Sequence, residues 1–157
     1  MLRFKIVVVG RTRSSFLQEG EAFYLERLRR YVKTDWVEVK AGRTTRAKPE
    51  SEVVREEGLA LSKRLRGGEI LVPLDRTGVQ LDSRGLARWL QGLSERPGGP
   101  VVFLIGGPLG LSRDLIGRAE KVLSLSRLTL THEMARIVLL EQLYRACTIL
   151  AGEKYHK

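Results

Sequence analysis

The sequence has 157 residues, of which 43% are hydrophobic and 29% are charged. A chain of this length and composition is expected to form one domain with its own core, and disordered, collagen-like and disulfide-rich classes are excluded. Lys and Arg number 28 against 18 Asp and Glu, and this net charge of +10 favours a polyanionic partner, nucleic acid ahead of a membrane, over a merely solvated basic surface.

The N-terminal part of the chain predicts a strand, a helix and a second strand. Residues 3–9 are rich in β-branched residues and end at a glycine, which is typical of a buried strand. Ser14 or Ser15 is expected to cap a helix that reaches about residue 32, because aromatic and leucine side chains recur there at helical spacing. A second strand follows over about residues 36–41.

The middle of the chain begins with a basic loop. Residues 42–49 contain Gly, Pro and three Lys or Arg without an apolar period, so they predict an irregular segment. A helix is expected over about residues 50–66, ended by two glycines. The third strand covers residues 69–75, and Ser83 is expected to cap a helix through about residue 94.

The C-terminal part predicts two strands and two helices. Residues 101–105 form the most apolar strand, and Ser112 is expected to cap a short helix to about residue 121. A last short strand covers residues 122–126. The longest helix runs over about residues 131–150 and is apolar on nearly every face, which indicates burial on most sides or a subunit interface.

Strands that alternate with helices predict the fold class. The expected architecture is α/β, with a mainly parallel sheet covered by helices on both faces. No internal repeat or linker divides the chain, so residues 1–157 are interpreted as a single domain.

Membrane, secretory and metal-binding classes have no support in the sequence. No apolar run approaches the roughly 20 residues of a membrane span or the roughly 7–15 of a signal peptide. The single cysteine, Cys147, lies in an apolar helical stretch and is interpreted as a core residue. With two histidines, His132 and His156, metal-ligand spacing is absent. We therefore expect a cytoplasmic protein without a metal.

Ligands of parallel α/β sheets bind beyond the carboxyl ends of the strands. Three segments qualify: Leu74 with Asp75, the glycine-containing residues 105–110, and residues 125–131. The glycine spacing matches neither a dinucleotide fingerprint nor a phosphate-cradling loop, so a plain tight turn remains an alternative. Residues 125–131 are long for a simple connection, yet a connection capped by Thr131 is equally compatible with them.

The last helix and the C-terminal tail carry the remaining candidate residues. Charged side chains are costly on an apolar helix, which favours an interface or a site for Arg136, Glu141 and Arg145. Glu141 and Arg145 are also spaced for an ordinary intrahelical pair. Residues 155–157 combine an aromatic ring, an imidazole and a lysine, which suits contact with a base and a phosphate, although an arbitrary tail could have the same composition.

Four motifs in order resemble one family, the ribosomal RNA large subunit methyltransferase H family of the SPOUT class. They are FLIGGPLGL at 103–111, LSLS at 123–126, EQLYRA at 141–146 and YHK at 155–157. The resemblance extends over the whole chain. It implies methylation of N3 of a pseudouridine in 23S rRNA, on the assembled ribosome, with S-adenosylmethionine as cofactor. It also implies a homodimer and an α/β knot fold whose C-terminal segment threads a trefoil, which periodicity alone does not reveal.

The resemblance also implies which residues contact the cofactor. Carried over by motif, they are Leu74, Gly106, Leu125, Ser126, Arg127, Leu128, Thr129 and Leu130. These residues lie in the three segments selected by the strand-end argument. The chain departs from the family at Thr131, where a proline is usual, and this departure puts the rigidity of the turn in question.

Methylation of N3 requires removal of its proton, and the sequence offers two imidazoles for this step. The candidate bases are His156, expected to reach over from the partner subunit, and His132. Arg136 and Arg145 are expected to stabilise charge on the base carbonyls, and Tyr155 to stack on the target base. A solvent-accessible base, with the protein only positioning the reactants, is the alternative. The tail is expected to contribute little to the fold.

Two other functions remain as alternatives at this point. The first is a non-catalytic rRNA-binding protein that keeps the fold, against which the intact cofactor segments argue. The second is a Rossmann-like nucleotide enzyme, against which the missing dinucleotide fingerprint argues.

Overall fold

The structure is a computed structural model that describes residues 1–157, and it contains five strands and five helices. The strands are β1 (Arg3–Val9), β2 (Lys33–Val39), β3 (Ile70–Gln80), β4 (Val101–Ile105) and β5 (Leu123–Ser124). The helices are α1 (Ser15–Leu28), α2 (Glu50–Ser62), α3 (Ser83–Ser94), α4 (Arg113–Gly117) and α5 (His132–Leu150). Strands and helices alternate along the chain as predicted.

The five strands form one sheet in the order β2-β1-β4-β3-β5, and every neighbouring pair is parallel. The central strand β4 is buried along its whole length, and its five residues are all apolar. Since all strands run in one direction, their carboxyl ends meet at a single edge of the sheet. The α/β fold with a parallel sheet is confirmed.

Apolar side chains cover both faces of the sheet. On one face, β1 residues such as Phe4 and Ile6 pack with α1, α3 and α5 in a cluster of 19 buried residues. On the other face, Val7 and Val9 pack with Leu61 of α2 and Leu115 of α4. This alternation follows from the two-residue period of a strand. Helices on both faces of the sheet were predicted and are confirmed.

Strand β3 differs most from its prediction, since it continues to Gln80 instead of ending at residue 75. Its pairing with β5 shifts register between Leu74 and Val79. Gly78 lies within the shifted part, and a Cβ atom there would be 2.6 Å from the carbonyl oxygen of Val122. The glycine therefore permits the close approach of β5, which is only two residues long instead of the predicted five.

Helix ends also differ from the predictions by a few residues. Helix α1 ends at Leu28 because the next residues form a tight turn, and β2 begins three residues earlier than predicted. The predicted ends of α2 and α4 were likewise four residues too late. Asp82, not Ser83, caps α3, with its carboxylate accepting from the backbone N–H of Gly85 at 2.6 Å. The predicted caps Ser112 and Thr131 are confirmed.

Candidate active site

A cavity lies beyond the carboxyl ends of β4 and β5 and beside the middle of β3. It encloses about 690 Å³, within the range of small-molecule sites. All three predicted segments contribute to its lining, through residues 74–76, 105–110, 125–126 and 128–132, and Ala135 of α5 completes the wall. The argument from strand ends therefore holds for the segments after β4 and β5, whereas Leu74 and Asp75 line the cavity from within β3, which continues to Gln80.

Seven of the eight predicted cofactor residues line this cavity. They are Leu74, Gly106, Leu125, Ser126, Leu128, Thr129 and Leu130. Arg127 is the exception, because it lies in the same segment but does not line the cavity.

Gly106 forms a wall of the cavity that only glycine can form. A Cβ atom at Gly106 would lie 2.6 Å from the carbonyl carbon of Gly110 and 2.8 Å from its oxygen. Gly110 adopts a φ of +82°, and its N–H donates to the carbonyl of Gly107 at 3.0 Å. The turn after β4 thus closes tightly on itself, which a side chain at position 106 would prevent.

The segment after β5 presents backbone donors that the chain itself does not use. The N–H groups of Arg127, Thr129 and Leu130 donate to no group of the protein, whereas that of Leu128 donates to Ser126 Oγ at 3.0 Å. The Leu128 side chain is 75% exposed. Unused donors beside a glycine wall suit a small ligand with several polar atoms, such as a nucleoside with an amino-acid tail.

His132, at the start of α5, brings an imidazole to this cavity. Burial lowers the pKa of His132 below its usual 6.5, and the positive charge of Arg136 lowers it further. The imidazole is therefore neutral at pH 7, the form that can accept a proton. Thr131 fixes its position by capping α5, accepting from the N–H of Met134 at 3.2 Å.

Arg136 does not line the cavity, although it was predicted to stabilise charge there. It is completely buried, and its guanidinium donates to the carbonyl of Val9 at 2.6 Å and to Thr12 Oγ1 at 2.8 Å. Thr12 in turn donates to the carboxylate of Glu21. Arg136 therefore joins α5 to the end of β1 and to α1.

The C-terminal tail packs against α5 instead of extending into solvent. The Tyr155 ring lies 4.8 Å from that of Tyr144, and its hydroxyl donates to Glu141 at 3.1 Å. Burial and this hydrogen bond raise the pKa of Tyr155 to about 12. The tail thus contributes to the fold more than expected.

Arg145 holds both the tail and its own helix. It forms the predicted intrahelical pair with Glu141, with Nε at 3.0 Å, and lies 4.7 Å from the centre of the Tyr155 ring. His156 Nδ1 is 3.4 Å from Arg145 Nη1. Thirteen residues of helix separate His132 from Arg145, so Arg145 and the tail residues packed against it lie about 20 Å from the start of α5. Within one chain, the tail and the cavity do not meet.

Two carboxylates near the cavity were missed by the sequence interpretation. Glu133 accepts from the backbone N–H groups of Arg13 at 2.8 Å and Ser14 at 3.2 Å, and so holds the start of α1 against α5. No local pattern indicates this contact, which joins distant parts of the chain.

The second missed carboxylate, Glu57, is 4% exposed and lies beneath the glycine turn. One oxygen accepts from the N–H of Gly42 at 2.9 Å, and the other has no partner and lies against Gly107. Burial raises the pKa of Glu57 above its usual 4.5. Its position four residues from both Val53 and Leu61, on the apolar face of α2, was a signal in the sequence.

None of the five helices combines the length and apolar character that a membrane crossing requires. Cys147 is buried, and burial raises the pKa of its thiol to about 11, which confirms it as a core residue.

Solved structures with a similar fold include two bacterial proteins. A probable methyltransferase from Bordetella pertussis aligns with a TM-score of 0.58 at 15% identity, over 93% of this chain and 95% of that one. A probable methylase family protein from Haemophilus influenzae aligns with a TM-score of 0.55 at 14% identity, over 100% and 72%. At this identity the likeness concerns the fold alone.

Sequence comparisons give a closer relationship. A family model described as "Predicted SPOUT methyltransferase" matches residues 2–156. A protein named ribosomal RNA large subunit methyltransferase H from Rubrobacter xylanophilus is 46% identical over 98% of each chain. One of the same name from Thermotoga neapolitana is 40% identical over 99% of each. The chain therefore belongs to the ribosomal RNA large subunit methyltransferase H family of SPOUT methyltransferases.

Proposed function

We propose that this enzyme transfers a methyl group from S-adenosylmethionine to N3 of a pseudouridine in 23S rRNA. The observation that carries the proposal is the cavity itself, with Gly106 in its wall and the unused N–H groups of Arg127, Thr129 and Leu130. The names of the relatives supply the class of substrate. We propose the assembled ribosome in the cytoplasm as the setting.

The cavity residues fit a nucleoside cofactor. Gly106 lets the turn after β4 fold tightly on itself in the cavity wall, and Thr129 and Leu130 offer N–H donors to the polar atoms of a ligand. Leu74, Leu125 and the other cavity residues named above enclose its apolar surface, and Arg127 contributes through its backbone. S-adenosylmethionine, when bound, supplies a methyl group on a sulfonium that a nitrogen nucleophile can take.

The proton on N3 must leave as the new bond to carbon forms. The neutral imidazole of His132 lies in the cavity wall and can accept this proton. His156 and Tyr155 of the same chain lie too far away, so their predicted roles as base and stacking ring require a partner subunit. Arg145 would act with them to stabilise charge on the base carbonyls.

Arg136 has a different proposed role from the one predicted for it. Its guanidinium is fully buried and used by Val9 and Thr12, so it does not reach a base in the cavity. It is a positioning residue that holds the start of α5, and with it His132, against the sheet.

A homodimer is part of the proposal. Phe16, Leu128 and Met134 are 69%, 75% and 38% exposed, and they lie on elements around the cavity. Such exposed apolar side chains indicate a surface that another protein covers. We also propose that residues 1–157 form one domain with the trefoil knot. The path from β5 at the sheet edge back to the end of β1, where Arg136 contacts Val9, supports it.

The test is an equilibrium titration with S-adenosylmethionine by calorimetry. Gly106→Ala should abolish detectable binding, because its Cβ would force the turn open against backbone atoms. Gly67→Ala is the matched control, since its Cβ would meet nothing within 4 Å. A folded wild-type protein that gives no heat with S-adenosylmethionine, or a Gly106→Ala variant that binds normally, would overturn the proposal.

A further inference from the structure

A second group of positive charges lies apart from the cavity, in a groove between the edge strand β2 and helix α2. Two adjoining concavities of about 320 and 480 Å³ form this groove and share Lys40, Glu56 and Ala60. We call it the basic groove and define it by five cations: Lys40, Arg43, Lys48, Lys63 and Arg64.

Most of this positive charge has no partner within the protein. Lys48 is the one cation of the groove with an ion pair, at 2.7 Å from Glu56. The side chains of the other four, all on exposed residues, form neither ion pairs nor hydrogen bonds. Five cations facing one carboxylate repel each other unless an anion joins them, so the groove is suited to a polyanion.

The wall of the basic groove is held in place before any ligand binds. The loop after β2 is tied to α2, because the N–H of Gly42 donates to the buried carboxylate of Glu57 at 2.9 Å. A Cβ atom at Gly42 would lie 2.8 Å from Val53 Cγ1, which shows how closely this loop packs on the helix. A fixed wall reduces the ordering cost of binding.

The basic groove and the cavity open on the same side of the molecule. The groove begins where β2 ends, and the cavity lies at the carboxyl ends of β4 and β5 and beside the middle of β3. Only β1 separates β2 from β4, which places their ends about 10 Å apart. Glu57 links the two sites directly, since it bonds to Gly42 and lies against Gly107.

We propose that the basic groove binds the sugar-phosphate backbone of the RNA strand whose target base enters the cavity. This inference rests on the proposed function. A strand with one base in the cavity runs along the same sheet edge, where Lys40 and Arg43 meet its phosphates first. Lys63 and Arg64 extend the contact along the outer side of β2.

The test compares two double charge reversals. Lys40→Glu with Lys63→Glu changes the basic groove, and Arg3→Glu with Lys33→Glu is the matched control. Arg3 and Lys33 are exposed, unpaired neighbours at the amino ends of β1 and β2, whereas Lys40 follows the carboxyl end of β2, and the change in net charge is the same. The probe is a fluorescent single-stranded RNA of about 20 nucleotides, titrated between about 50 and 200 mM salt.

The groove variant should bind this RNA at least about tenfold more weakly. The slope of log affinity against log salt should become shallower by about 1.4, since each phosphate contact contributes about 0.7. The control variant should keep most of the RNA affinity and most of the salt dependence. Equal losses in the two variants would overturn the proposal, because net charge alone would then explain them.

Two further measurements separate this proposal from its alternatives. The groove variant should bind S-adenosylmethionine like the wild type. No binding in either protein would refute the proposed function, whereas loss in the groove variant alone would refute a separate RNA groove. Vesicles containing phosphatidylserine test a membrane partner. If the reversal abolishes vesicle binding and leaves RNA binding unchanged, the groove is not an RNA site.

Discussion

Replacement of Arg136 by methionine tests whether this buried cation positions α5 or acts in catalysis. Methionine fills a similar space but removes two donors, to the Val9 carbonyl and to Thr12 Oγ1. It also removes the positive charge that lowers the pKa of the nearby buried Glu21, whose pKa burial raises. The structure around Glu21 then holds a carboxylate without a compensating cation.

The expected loss in the free energy of unfolding is about 3–5 kcal/mol. Hydrogen bonds from a charged group contribute about 1.5–3 kcal/mol each, and loss of one member of a buried charged network costs about 3–5 kcal/mol. Because Nε of Arg136 is already buried without a partner, we expect the loss in the free energy of unfolding to stay below the summed upper limit of the two hydrogen bonds. Adding Glu21→Gln should recover at least about 1 kcal/mol, since the uncompensated charge is then gone.

Urea unfolding at pH 7 and fixed protein concentration measures this loss, with an unchanged dependence on denaturant as the check for two-state behaviour. Arg136→Lys keeps the charge but not both bonds, so its stability should be intermediate. A loss below about 1 kcal/mol would refute the network as a stabilising element. Abolished methyl transfer with normal stability and normal S-adenosylmethionine binding would instead show a catalytic role for Arg136.

Three further predictions follow from the same contacts. The pKa of Glu57 is raised in the folded state, so the stability that Glu57 contributes is present below pH 4.5 and is lost as pH rises through the folded pKa. In urea unfolding, the free energy of unfolding of the wild type relative to Glu57→Gln should therefore fall over that pH window. A difference that stays constant with pH would contradict this prediction. Removal of residues 155–157 should cost about 1–2 kcal/mol in the same assay because the Tyr155 contacts are lost, and it should lower methyl transfer at least about 10²-fold; full activity would exclude the tail from the reaction. Cys147 should react with a thiol reagent at pH 8 only after unfolding, and rapid reaction of the native protein would contradict its burial.

The cavity could be located from the sequence because its position follows from strand order and direction. Parallel strands place their carboxyl ends together, so the segments after β4 and β5 were sufficient to locate it, and Leu74 joins them from within β3. Gly106 marked the close packing of the turn after β4 on its own backbone. The choice among the alternative functions could be made only with the sequence comparisons, because a fold and a cavity do not identify a reaction.

The errors in the sequence interpretation occur where contacts join distant parts of the chain. Arg136 has the same local signal whether it faces a cavity or the end of β1, and only the packing of α5 on the sheet decides between them. The extension of β3 past residue 75 depends on its pairing with β5. Gly78 taken alone indicates a turn, whereas in the structure it permits the close approach of β5. Local residue propensity contains no information on these two contacts, of Arg136 with the end of β1 and of β3 with β5.

The two ends of α5 carry different groups of candidate residues, and this separation bears on the proposed assembly. The amino end carries His132 into the cavity, while the carboxyl end holds Tyr155 and His156 about 20 Å away. In the proposed homodimer, each tail would have to reach the partner's cavity. The contacts of Tyr155 with Arg145 and Glu141 hold the tail in one conformation within its own chain. The proposed homodimer thus supplies what the single chain lacks, a second imidazole and an aromatic ring beside the cofactor cavity.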